Sequence, residues 1–248
     1  MYYDVNVSED YCTDEVKGLE ESEYQGFCVC KKVKAGEFNR LLWKPKDLGV
    51  KNGWYSRIEL EFAEGEAINY DQKKAMKSDV FVVRIGGAEG LDKLIKLQPD
   101  MISFDYSSPV LRLKSGLVKT AMKENIFFEI PIREGLYGVE QKVMWMRNVR
   151  KLLFVTKGKN VVVSSGAKRL SELKRVKDVI LMLQTFGLKR KRAEQVLCNS
   201  KRLLEHCAMR RHCHKGMVVT SVDDGALKRD FLMKKYGWLM DKGRIKEV

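Results

Sequence analysis

A run of small residues, Ser164–Ser165–Gly166–Ala167, separates the β-branched triplet Val161–Val162–Val163 from the bases Lys168, Arg169, Lys174 and Arg175. Small groups and positive charge just past the end of a strand are the ingredients of a phosphate cradle. A second basic run, Lys189, Arg190, Lys191 and Arg192, opens a helical stretch. Four positive charges there oppose the helix dipole, a local cost that an external phosphate would relieve. Both clusters point to phosphate binding. The phosphate could belong to a small substrate, a cofactor or a nucleic-acid backbone.

Other chemistry has weaker footing. All three histidines, His206, His212 and His214, fall in "EHCAMRRHCHKG" with Cys207 and Cys213, and that spacing matches no zinc pattern. Asp4 and Asn6 share a face of the first strand and Glu129 lies in the sixth, so a carboxylate-only Mg²⁺ site remains open. A His-rich metallohydrolase does not, because the first seven strands contain no histidine. There is no GxxxxGK[ST] and no GxGxxG after a strand, and "RIGGAEG" (84–90) reads as a tight turn. No Ser-His-Asp or Cys-His order is convincing.

Charge narrows the choice. The 248 residues carry 47 Lys+Arg against 33 Asp+Glu, a net of +14. Residues 1–30 hold one base and eight acids, whereas residues 140–215 hold 20 bases and five acids. A surplus that concentrated repels itself unless a polyanion neutralises it, and counterion release then favours nucleic acid. With 44% hydrophobic residues and four prolines, a packed core is expected. No apolar run approaches the roughly 20 residues of a membrane span, and "MYYDVNVSEDYC" lacks the features of a secretory signal, so the chain reads as soluble and intracellular. The six cysteines contain no CxxC pair and read as free thiols.

Seven apolar runs supply strands to position these groups: 2–7, 26–33, 56–62, 79–85, 101–106, 126–132 and 160–166. Helix-like stretches at 90–98, 117–125 and 138–158 lie between several of them; Val139, Val143, Met146 and Leu153 give the last its apolar spacing. Alternation of this kind predicts an α/β fold with a parallel sheet closed into a TIM-like (β/α) barrel; an open doubly wound sheet is the alternative. After the seventh strand the pattern is helical, with Ser171 as N-cap of one helix, Gly187 as its stop, and a second helix near 189–209. The irregular loop from Ala35 to Tyr55 carries Trp43 and Trp54, which could stack on bases or cover a barrel mouth.

At 157–211 the block "KGKNVVVSSGAKRLSELKRVKDVILMLQTFGLKRKRAEQVLCNSKRLLEHCAMRR" resembles the C-terminal signature of the thirty-kilodalton protein subunit of ribonuclease P. "YYDVNV", "WYSRIELEF", "SDVFVVRI", "PDMISFDYSSP" and "HKGMVV" resemble further landmarks of that family in the same order. The resemblance implies a PHP-like TIM barrel without a metal centre, since Asp4-x-Asn6 stands where PHP enzymes have His-x-His. It also implies a non-catalytic, RNA-binding subunit of ribonuclease P, and in eukaryotes of ribonuclease MRP. The chain would bind no cofactor; Mg²⁺ would sit on the catalytic RNA, which removes the 5′ leader of precursor tRNA. Expected partners are that RNA, precursor tRNA in the holoenzyme, and a small ferredoxin-like protein subunit. Location would be nucleus or nucleolus in a eukaryote, cytoplasm in an archaeon.

Expected RNA contacts are Lys168, Arg169, Lys174, Arg175 and Lys189 to Arg192, with Arg57, Arg147, Arg150, Arg210, Arg211 and Lys215 beside them. Ser164, Ser165 and Gly166 form the strand-end turn. The competing reading is a metal-dependent phosphoesterase built on Asp4, Asn6 and Glu129. Residues 1–215 are expected to form one domain, and 216–248 an extension docked on the barrel or a partner. The short acidic connection 8–25 leaves the first barrel helix reduced or absent.

Overall fold

The computed structural model describes residues 2–9, 22–38, 53–63, 65–107, 111–214 and 217–218. Seven strands, β1 (Asp4–Ser8), β2 (Gly26–Lys34), β3 (Gly53–Phe62), β4 (Val80–Ile85), β5 (Met101–Phe104), β6 (Phe127–Pro131) and β7 (Val161–Ser164), pair in chain order. Every pairing is parallel. All seven fall on the runs read from the sequence, because β-branched and aromatic residues dominate them. The short helices α1 (Ala35–Phe38) and α2 (Gln72–Ala75) follow β2 and β3. The larger α3 (Leu91–Leu97), α4 (Ser115–Lys123) and α5 (Val139–Thr156) complete the alternation.

Among the described residues no eighth strand joins this sheet, and β1 and β7 meet across a seam. The backbone segment after β7 closes it: Val7 bridges Ala167 and the Ser8 amide donates to the Ala167 carbonyl at 2.9 Å. The Ser165 amide donates to Asp4 Oδ1 (3.1 Å), and the Ser165 hydroxyl to the Asn6 carbonyl (3.2 Å). These bonds satisfy backbone groups that would otherwise form a sheet edge. The strand-end turn is therefore the clasp of the barrel rather than an open phosphate cradle; Ser164 and Ser165 are both buried.

The sheet packs on both faces. Ile58, Leu60, Val83, Phe104, Phe128 and Val163 join the outer layer formed with Leu94, Val149, Leu152 and Val179. Inside the barrel floor, Val5, Cys28, Val80, Val82, Met101 and Val162 meet Leu203, Leu204, Cys207 and Ala208. The latter four belong to α7 (Arg190–His212), which closes the N-terminal end of the barrel. Its polar anchors agree with that placement: Asn199 donates to Val161 O (2.8 Å), the Tyr3 amide to Ser200 Oγ (3.1 Å) and Arg211 to Ser78 O (2.6 Å), all near strand starts.

Two local expectations are corrected. The helix after β7, α6 (Val176–Thr185), starts after Arg175 rather than Ser171, and its first amide donates to Glu23 at 3.0 Å; residues Leu170–Glu172 form a 3-10 turn instead. The cause is Glu172, whose buried carboxylate bonds to groups outside the helix path. In α5 the core-facing residues are Trp145, Asn148, Val149, Leu152, Leu153 and Thr156, so Val139, Val143 and Met146 face solvent. Gly187 ends the region of α6 with φ +95°, as a left-handed stop requires. Apart from Met217–Val218, which pairs antiparallel with Cys213–His214, the extension 216–248 lies outside the described residues. So do Trp43 and residues 10–21, the segment for which the sequence predicts a reduced first helix.

Candidate nucleic-acid interface

The competing metal site is filled by a side chain. Arg57, with no exposed surface, lies inside the barrel and places its guanidinium between two carboxylates. It donates to Glu129 at 2.6 and 2.7 Å, to the Val5 carbonyl at 2.8 Å, and to Glu59. Glu129 also accepts from Asn6 Nδ2 (3.0 Å) and Ser164 Oγ (2.6 Å). Burial opposes charge on Glu129, but Arg57 and these donors hold its carboxyl well below the usual range. Four donor contacts occupy the lone pairs that a cation would need. Asp4 Oδ1 is likewise spent on the Asn6 and Ser165 amides, and burial pushes the Asp4 carboxyl up to about 6. Arg57 therefore leaves the set of RNA contacts: it is an internal counter-ion.

At the C-terminal end of the strands, where barrels of this type carry their chemistry, lies a cavity of about 370 Å³. Asn6 and Cys30 line it with Lys31, Lys32, Arg84, Arg133, Lys168, Glu9 and Glu134. Most of these charges are matched in pairs. Arg84 meets Glu134 at 2.5 Å, Lys32 meets Glu59 at 3.1 Å, Arg133 meets Glu172 at 3.0 Å, and Lys31 meets Glu9. Among the described residues the charges of this mouth are thus mostly neutralised within it, with Lys168 left without an ion pair. Among the described residues no group of His, Cys, Asp or Glu is arranged to hold a metal ion. His206 packs beside Phe127 at the barrel floor, and Cys207 is buried there.

The exposed bases fall into separate groups. Lys168 and Arg169 follow the clasp at the mouth, and both are exposed. Glu172 organises them: it accepts from the Lys168 amide (2.8 Å), from Arg133 Nε (3.0 Å) and from the Tyr137 hydroxyl. Burial disfavours its charge, yet these donors hold its carboxyl below the usual range. Lys174 and Arg175 precede α6; the Lys174 carbonyl accepts from Tyr24 (3.0 Å) while Arg175 is exposed. Lys189, Arg190 and Lys191 are exposed at the start of α7. Arg192 Nε donates to Lys157 O at 2.7 Å, beside the N-terminal end of β7. The first and last groups thus lie toward opposite ends of the barrel, with α6 between them in the chain.

Arg147 and Arg150 lie on the exposed face of α5. Arg210 and Arg211 are corrected: both pair with Asp100, at 2.9 and 2.6 Å, and Arg211 is almost wholly covered. They lock α7 to the start of β5 rather than face a ligand. Lys215 lies outside the described residues. Trp54 packs on Phe27 with ring centroids 5.4 Å apart, at the starts of β2 and β3, so it does not cover the mouth.

The family model described as RNase P subunit p30 matches residues 1–212. This chain belongs to that family. It is 29% identical over 170 residues to "Protein GAMETOPHYTE DEFECTIVE 1" of Arabidopsis thaliana, a match covering 66% of this chain and 29% of that protein. It is 25% identical over 167 residues to "Probable ribonuclease P protein subunit 3" of Schizosaccharomyces pombe, covering 66% and 71%. Among solved structures, a chain of archaeal ribonuclease P bound to mature tRNA shares the fold with TM-score 0.65 and 15% identity, over 90% of this chain and 100% of that one. A mutant organophosphorus hydrolase from Deinococcus radiodurans shares it at TM-score 0.50 and 9% identity, over 78% and 82%.

Within this p30-family chain, sequence reasoning missed Arg133, Tyr137 and Glu172, which converge although they lie on two separate loops. The available signal was Glu172 itself, a lone acid in a basic block. Arg84, Glu59 and Glu134 were missed because nothing local distinguishes an internal ion pair from a solvated one.

Proposed function

We propose that this chain is a non-catalytic, RNA-binding protein subunit of ribonuclease P, whose RNA removes the 5′ leader of precursor tRNA. The observation that carries this is membership of the RNase P subunit p30 family over residues 1–212. Two structural features support it. The Arg57 guanidinium occupies the barrel interior between Glu59 and Glu129, so the carboxylate that the phosphoesterase reading needs at Glu129 is already paired. Apart from Arg190, which meets Glu194 at 3.1 Å, the exposed bases of the two clusters make no ion pair among the described residues, the pattern that neutralises backbone phosphates and positions RNA without reading its sequence.

Finer points belong to the same proposal. Mg²⁺ acts on the partner RNA, and a small ferredoxin-like protein subunit and precursor tRNA complete the assembly. Ribonuclease MRP is a second assembly for the chain, and PHP-like describes its barrel. The two eukaryotic relatives favour a nuclear location.

The test is the salt dependence of binding to ribonuclease P RNA. Replacing Lys189, Arg190, Lys191 and Arg192 by Ala should lower the slope of log affinity against log salt by about 0.7–0.9 for each phosphate no longer neutralised. Unchanged slopes for this variant and for Lys168→Ala/Arg169→Ala would overturn the assignment of these clusters. Recovery of the wild-type chain from cells without ribonuclease P RNA would overturn the function.

A further inference from the structure

Tyr137 lies in the turn between β6 and α5, beside the mouth, and is 50% exposed. Exposed aromatic side chains normally lose rotamer freedom when they bind something. This one has already lost it. Its hydroxyl donates to Glu172, and the Arg133 guanidinium sits over one ring face at 5.1 Å from the centroid. Arg133 is itself fixed by Glu172 at 3.0 Å, and Glu172 by the Lys168 amide at 2.8 Å. The turn is pinned as well: Trp145 donates to Pro131 O at 2.9 Å, and a Cβ on Gly135 would lie 2.7 Å from the Trp145 ring, so only glycine passes there.

We propose that Tyr137 is a stacking platform for an unpaired RNA base, with Lys168 and Arg169 taking the flanking phosphates. The proposal rests on the RNA-binding reading and adds to it a nucleotide-level contact. Three observations favour RNA over a protein at this spot. Arg133 covers one face of the ring, the exposed Lys168 and Arg169 lie on the segment that leads to Glu172, and Glu172 itself is buried and already bonded. Lys168 and Arg169 make no ion pair among the described residues. A single strand offers a π-face to the ring and phosphates to the cations in one ligand. Because the hydroxyl proton is committed to Glu172, it cannot be donated to a base edge, and the face of the ring carries the contact. The platform should therefore accept any base.

The experiment uses the full chain and two probes: ribonuclease P RNA, and a short single-stranded RNA carrying one 2-aminopurine, whose fluorescence is quenched on stacking. Tyr137→Leu should weaken binding about ten-fold, leave the salt slope unchanged and abolish the quench. Tyr137→Phe keeps the ring over Arg133 and should retain the quench and most of the affinity. Lys168→Ala/Arg169→Ala should do the opposite of Tyr137→Leu, lowering the slope while a quench persists at low salt. Wild-type affinity and quench in Tyr137→Leu would overturn the platform while leaving the RNA reading standing. So would a Tyr137→Leu variant that holds RNA normally but loses a protein subunit on co-purification. If the wild-type chain bound neither probe, the RNA reading would fail and the platform with it.

Discussion

At the scale of single residues, the decisive fact is what Arg57 touches. A guanidinium buried between Glu59 and Glu129 pairs with both carboxylates, and Glu129 has no other cationic partner among the described residues. Arg57→Met should destabilise the protein by about 3–5 kcal/mol in urea unfolding, because it leaves buried charge uncompensated. Adding Glu59→Gln and Glu129→Gln to that variant should recover most of the loss; a triple variant as unstable as the single one would contradict the pairing. Asp4 gives a pH signature. Burial raises its folded pKa to about 6, above the unfolded value of about 3.9. The folded state therefore binds more protons than the unfolded state between these values, and this contribution to stability falls as pH rises from about 4 to about 6. Asp4→Asn keeps an oxygen for the Ser165 amide and removes the charge. Its stability relative to wild type should improve across that window by on the order of 2–3 kcal/mol, read from urea melts at several pH values. A flat difference would show that Asp4 does not titrate there.

At the scale of elements, α7 has two jobs that the structure separates. Its start displays Lys189–Lys191, and its later turns floor the barrel with Leu203, Leu204, Cys207 and Ala208. Leu203→Ala should cost about 2–5 kcal/mol by opening a cavity beneath Val5 and Met101, yet leave the salt slope of RNA binding unchanged. A changed slope with unchanged stability would reverse the assignment. The strands were legible because runs such as "VFVVRI" and "VVVS" need cover on both faces. The solvent face of α5 was not. Val139, Val143 and Met146 have core-like spacing, but Trp145 and the aliphatics Val149, Leu152 and Leu153 form the stripe that packs. Arg57 eludes the sequence pattern for a related reason. In "SRIELEF" the charged residues alternate with Ile58, Leu60 and Phe62, which reads as polar-outward in a half-exposed sheet. In a barrel the aliphatic set faces the helices and the charged set points inward. The start of α6 is hidden because Glu172 bonds to Arg133 and Tyr137, partners 39 and 35 residues away.

At the scale of the whole molecule, the surplus of +14 is not one patch. Lys168 and Arg169 stand at the C-terminal mouth and Lys189–Lys191 toward the other end, with Arg147 and Arg150 on α5. Groups that distant should act independently. The combined variant, with both clusters replaced by Ala, should therefore lose as much salt slope as the two separate variants together. A smaller loss would mean that one phosphate run bridges both. The charge asymmetry was plain in the sequence, but its division was not, because residues adjacent in the basic block are carried apart by the turn after β7 and by α6.

The serine clasp has a consequence for how the chain is made. Asp4 and Ser165 are 161 residues apart, so β1 leaves the ribosome long before its second neighbour exists. Until then it is an edge held on one side by β2, and the barrel is an open, right-twisted ribbon. Closure is a pairing of long sequence separation, the class of contact that forms slowly. In the finished protein the same line is the natural place for breathing: the amides of Ser8 and Ser165 should exchange with deuterium sooner than those in the middle of β3 and β4, whose ladders are continuous on both sides.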